Sequence, residues 1–181
     1  MEENKVYSHQ VVEFTTVARE YCLLCENAPR YTKADFIRVA TRMLPLLYLK
    51  AAMLPQLERI LDDELQDSVD EFQYEQIRSA ISQKLTRHDD YLEVFKDDFK
   101  LSETPVVASI SEDMADIFQD LRNYCESYRI GIEEIMNDAV CRVTEQFETY
   151  WGQRLCNAMR ALHSVLYGTD DLTDEPAATK D

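Results

Sequence analysis

Asp113, Asp116 and Asp120 recur at intervals of three and four residues. At 3.6 residues per turn that spacing gathers three carboxylates within about one sixth of a helical turn, at the edge of an apolar stripe where they can face a groove. Asp67 and Asp70 stand three apart ahead of a second stripe, Tyr74, Ile77, Ile81 and Leu85, and lean toward the same interior. Carboxylate pairs on two facing helices hold hard divalent cations, because Mg²⁺ or Mn²⁺ takes oxygen ligands and can position a phosphate for attack by water. The five aspartates are therefore candidate metal ligands of an all-helical nucleotide phosphohydrolase. The competing reading is ordinary: thirty-five acidic residues produce such pairs by chance, and acids in a first turn complement the helix dipole.

Other chemistries are poorly served. His9, His88 and His163 stand far apart and in neither Glu-x-x-His nor His-x-x-x-His, which removes the signatures of di-iron bundles and zinc proteases. Glycines occur only at 131, 152 and 168, so no P-loop, GxSxG or dinucleotide pattern exists. Cys22-Leu-Leu-Cys25 has zinc or redox spacing but no second ligand pair, and it sits near a helix C-terminal end, where the dipole disfavours thiolate; both cysteines read as core fillers. Five cysteines make no disulfide framework and suit a reducing compartment. No catalytic residue and no cofactor is assigned, with Mg²⁺ or Mn²⁺ as the alternative.

Charge says more about partners than about reactions. The formal net charge is −16, a field that repels phosphate backbones and anionic lipid, so direct nucleic-acid and membrane binding are not expected. The charge is uneven: residues 58–75 hold eight acids against Arg59 alone, whereas residues 1–57 hold six acids and seven bases. Asp62, Asp63 and Glu64 at the heart of that stretch are candidate partner-binding residues. Trp151, next to Gly152 within a helical pattern, is another; packing is the favoured explanation, since glycine inside a helix signals close approach. The N-terminus has neither a basic region nor an apolar core, and the longest apolar run contains Lys50 and is too short to span a bilayer. A cytoplasmic protein is expected.

Helices must position these groups. Apolar residues step by threes and fours from Tyr7 to Ala28, where Pro29 stops the pattern, and again from Phe36 to Leu54 behind a Thr32/Asp35 capping box. Pro45 predicts a kink or break near residues 41–44. Pro55 predicts the start of a short third helix over 56–65, and a fourth follows over 68–87. Periodicity fades over 88–107, which reads as a crossover of short helical turn and loop packed on the bundle. Ser109 or Ser111 caps a helix striped by Met114, Ile117, Phe118 and Leu121, and a last periodic run from Ile132 to Leu166 is one helix or two. The fold class is all-α: a single-domain bundle of six or seven helices over residues 1–168 with no sheet, followed by a disordered acidic tail over 169–181.

The stretches Ser-Ile-Ser-Glu-Asp-Met-Ala-Asp-Ile-Phe-Gln-Asp-Leu over 109–121, Phe-Glu-Thr-Tyr-Trp-Gly over 147–152, Ala-Met-Arg-Ala-Leu-His over 158–163 and Tyr-Leu-Glu-Val-Phe over 91–95 resemble an uncharacterised family of small all-helical bacterial proteins, a domain of unknown function. The likeness is best over about 91–167. The family commonly carries His-Trp-Gly where this chain has Tyr150-Trp151-Gly152, a departure that speaks against a metal or acid–base role there. The resemblance implies an all-helical domain and no activity. The leading expectation is a non-catalytic acidic interaction module for an unidentified protein with a basic surface, with self-association possible alongside.

Overall fold

The computed structural model describes residues 5–93 and 106–173. Among these residues there are six α-helices: α1 (His9–Glu26), α2 (Lys33–Ala52), α3 (Glu71–Leu85), α4 (Ile110–Arg129), α5 (Glu133–Gln146) and α6 (Gly152–Leu166). A π-helical turn, Phe147–Trp151, joins α5 to α6, so the run from 133 to 166 is one continuous rod. The stripes read from sequence are the buried faces: Val11, Phe14, Ala18, Tyr21 and Cys25 on α1 meet Phe36, Ala40, Leu44 and Leu47 on α2 in one core. Cys22 and Cys25 are both buried free thiols.

Helix α4 is central, packing against α1, α3, α5 and α6. Its start is fixed twice. Ser109 Oγ accepts from the amide of Glu112 at 3.3 Å, and Asp89 accepts from both the amide and the hydroxyl of Ser111 at 2.7 Å. Thr32 caps α2 through the amide of Asp35, the half of the capping box that Thr supplies. No break falls at Pro45, and α2 runs through it.

Three expectations need correction. First, a small sheet exists: β1 (Asp90–Glu93) pairs antiparallel with β2 (Val106–Ser109), Tyr91 opposite Ala108 and Leu92 opposite Val107. Of the segment expected to be helical turn and loop, 88–107, only His88 falls in a helical turn, Thr86–His88; the strands occupy its two ends, and 94–105 lies outside the described residues. Alternation explains the strands: Tyr91 is half-buried while Leu92 and Val107 face out. Second, there is no helix over 56–65. Leu57, Leu61 and Leu65 have helical spacing, but residues 55–69 form an extended strap whose backbone is bonded by the bundle rather than by itself. The fourth expected helix starts late for the same reason, with Asp70 as its cap. Third, the start of the tail is not free: Leu172 packs on the core and Asp170 lies 3.3 Å from buried His88. Residues 174–181 are outside the described range.

Candidate functional site

One face of α4 carries a buried polar row. Asp113, Asp116, Asp120, Asn123 and Ser127 follow the same three-four spacing as the apolar stripe beside them, and all five are buried. The interior tolerates this because neighbouring elements bring donors. From β1, the Tyr91 hydroxyl donates to Asp113 Oδ2 at 2.5 Å. From α6, Arg154 Nη1 donates to Asp113 Oδ1 at 3.2 Å, while its Nε lies 3.4 Å from Asp116 Oδ2. Tyr74 of α3 donates to Asp116 Oδ1 at 2.8 Å, and Tyr150 of the π turn donates to Oδ2 at 2.7 Å. All four oxygens of Asp113 and Asp116 therefore face donors.

The electrostatics follow from burial. It pushes the Asp113 carboxyl up to about 6, against the Tyr91 bond and Arg154, which favour the anion. Burial and the bond to Asp116 push Tyr150 up to about 12, so its phenol keeps the proton it donates. Asp120 differs. Burial, followed in size by the opposing field of Arg142, leaves it at about 7, and its Oδ2 is enclosed without a hydrogen-bond partner among the described residues. It borders a cavity of about 10 Å³ lined by Leu65, Asn123, Ser127, Arg142 and Gln146 among others.

The five aspartates are not brought together as a metal set. Asp67 is paired with Arg142 and accepts from Asn123 Nδ2, and Asp70 accepts from the amide of Gln73 as the exposed cap of α3. Among the described residues no group of three or more His, Cys, Asp or Glu side chains is placed to hold a metal ion. A divalent cation between Asp113 and Asp116 would have to displace three phenol donors and a guanidinium, so the donor set does not fit it.

The strap is the second feature of note. Ile60 and Leu61 amides donate to the two oxygens of Asp138 on α5 at 2.8 and 3.0 Å. Those bonds hold the Asp138 carboxyl below its usual range although burial pulls the other way. Asn123 Oδ1 accepts from the Ser68 and Val69 amides, Asn137 donates to the Glu58 carbonyl, and Arg142 donates to the Leu65 carbonyl. Meanwhile the side chains of Glu58, Ile60, Asp62, Asp63 and Glu64 are exposed.

The domain of unknown function DUF5063 matches residues 5–168 of this sequence. The chain belongs to the DUF5063 family. The crystal structure of protein BF1032 from Bacteroides fragilis is similar, with 37% identity over 92% of this chain and 98% of that one and a TM-score of 0.82. No curated protein matches.

In this DUF5063 chain the Tyr-Trp-Gly triplet ends the π turn with Tyr150 and Trp151 and opens α6 with Gly152. Tyr150 holds Asp116, as above. Trp151 is fully buried, its indole N–H donating to the Val143 carbonyl at 3.1 Å and its ring 4.8 Å from that of Phe147, so it packs in the core and presents no surface to a partner. Gly152 explains its own presence: a Cβ there would collide with the Phe147 carbonyl oxygen and lie 3.0 Å from the Phe147 ring. Sequence reasoning missed Tyr74, Tyr91, Tyr150, Arg154, Asn123, Asp138 and Arg142. One signal was available, the continuation of the aspartate spacing through Asn123 to Ser127.

Proposed function

We propose that this protein is a non-catalytic interaction module whose strap, residues 55–69, docks a partner with a basic surface. The observation that carries the reading is the division of labour in the strap. Asn123, Asn137, Asp138 and Arg142 hold its backbone, leaving Glu58, Asp62, Asp63, Glu64 and the apolar Ile60 to solvent. A long segment without secondary structure is uncommon in a compact domain and is usually functional. A pre-ordered strap also loses little conformational entropy on binding.

Residues 58–75 carry net −7, so long-range attraction speeds encounter with a cationic surface and is screened by salt. The test is the affinity of a synthetic basic peptide as salt rises, for the native chain and for the triple variant Asp62→Asn, Asp63→Asn, Glu64→Gln. The expected result is binding that weakens with salt and weakens about tenfold in the variant. Equal affinity for variant and native chain at low salt rejects the strap as the docking surface.

The phosphohydrolase alternative gains nothing from the engagement of Asp113 and Asp116 by tyrosines and Arg154. It predicts that Mg²⁺ raises the melting temperature at constant ionic strength and that Asp116→Asn abolishes the rise. The interaction reading predicts no such rise.

A further inference from the structure

We infer that the cavity floored by Asp120 is a receptor for the ammonium group of a lysine side chain presented by the basic partner. The inference rests on the interaction-module reading and adds a residue-level specificity to it. Every other acid or amide in the α4 row has donors: Asp113 and Asp116 from tyrosines and Arg154, Asn123 from the strap amides. Within this row Asp120 alone keeps a buried carboxylate oxygen with no partner among the described residues, at 9% residue exposure. Such groups in native proteins call for a water or a ligand.

Charge and size then choose the ligand. The Arg142 guanidinium, whose field reaches Asp120, is already bonded to Asp67 and to the Leu65 carbonyl, so an ionised Asp120 has no cation of its own among the described residues. About 10 Å³ accommodates one water-sized group, which an ammonium head is and a planar guanidinium is not. A neighbouring groove supplies the approach this inference requires. A groove of about 280 Å³ shares Leu65, Arg142 and Gln146 with the cavity and adds Glu64, Asp138 and Glu145 against Arg59. Leu65 offers an apolar wall to a lysine's methylene stem, and Glu64 belongs to the proposed docking strap. The charged groups facing Asp120 are Arg142 from α5, Asp67 from the strap and Asp116 one turn back on α4, and burial holds its carboxyl near 7. Ammonium capture therefore strengthens as pH rises through that value.

The test compares two fluorescent peptides of equal length and charge, one with lysine and one with arginine as its cations, by anisotropy about one unit above and one below that pKa. Above it the lysine peptide is expected to bind about tenfold more tightly than the arginine peptide. The preference is expected to shrink below it and to vanish in Asp120→Asn, a variant that keeps the side-chain shape and removes a buried ionisable group. The strap triple variant is expected to weaken both peptides alike and leave their ratio. Equal binding of the two peptides overturns the lysine receptor while leaving the docking strap. A lysine preference that survives Asp120→Asn overturns it too, and failure of both peptides to bind rejects both proposals.

Discussion

At the scale of the residue, burial is the main influence on the α4 carboxylates, and its sign can be checked by titration. Asp113 and Asp120 are acids whose folded pKa values, about 6 and about 7, lie above the ordinary aspartate value of about 3.9. The native state therefore binds protons more tightly than the unfolded chain, and this contribution to stability is full at low pH and lost as pH rises from about 4 through about 7. Asp120→Asn removes the Asp120 share. Relative to the native chain the variant is expected to gain ~2–4 kcal/mol above pH 7 and little near pH 4, read from denaturant midpoints at both values. Tyr150→Phe acts in the opposite sense. It strips one donor from Asp116 Oδ2 and leaves Arg154 nearby, so a loss of about 1 kcal/mol is expected in the same assay. A loss of nothing at all would mean that the phenol bond contributes no net stability.

At the scale of the element, the π turn and the strap are the two departures from regular helix, and each has an identifiable cause. The π turn places the Phe147 carbonyl against residue 152, which only a residue without Cβ can occupy unstrained. Gly152→Ala is expected to cost about 2 kcal/mol, where a helix-interior Gly→Ala change would ordinarily stabilise; calorimetry decides the sign. The strap depends on side chains of α4 and α5. Asp138→Ala removes the acceptors of the Ile60 and Leu61 amides, and their hydrogen exchange is expected to accelerate at least tenfold while amides in the middle of α4 change far less. Uniform acceleration of all amides would show that the strap opens only with the whole domain.

At the scale of the whole molecule, a charge of −16 on 181 residues makes self-repulsion a global destabilising influence that salt screens. The melting temperature is expected to rise by a few degrees from about 0.01 M to about 0.15 M salt, with the strap triple variant rising less. Leu46 and Leu49 on the outer side of α2 and Met53 just past its end are 43, 54 and 48% exposed, the face at which association of two copies would be sought. Sedimentation of the native chain beside Leu49→Glu tests that association. No helix among the described residues is long and apolar enough to cross a membrane.

The amphipathic stripes were legible because an α-helix repeats every 3.6 residues and a buried face must repeat with it. Val11 to Cys25 and Met114 to Leu121 could be placed inside before any contact was known. The caps Thr32 and Ser109 were equally local, each acting on an amide three residues away. The strap misled because Leu57, Leu61 and Leu65 carry helical spacing, while the bonds that keep them extended come from Asn123 and Asp138, far along the chain. The sheet was missed because its strands are four residues each and pair across the segment between them. The sequence by itself determined the apolar faces of α1, α2 and α4 and the caps that start α2 and α4, since periodicity and capping act over a few neighbouring residues. Only the tertiary structure decided that Asp113 and Asp116 are satisfied by Tyr74, Tyr91, Tyr150 and Arg154 while Asp120 Oδ2 is enclosed without a partner among the described residues, because hydrogen bonding depends on positions in space that spacing along a chain does not specify.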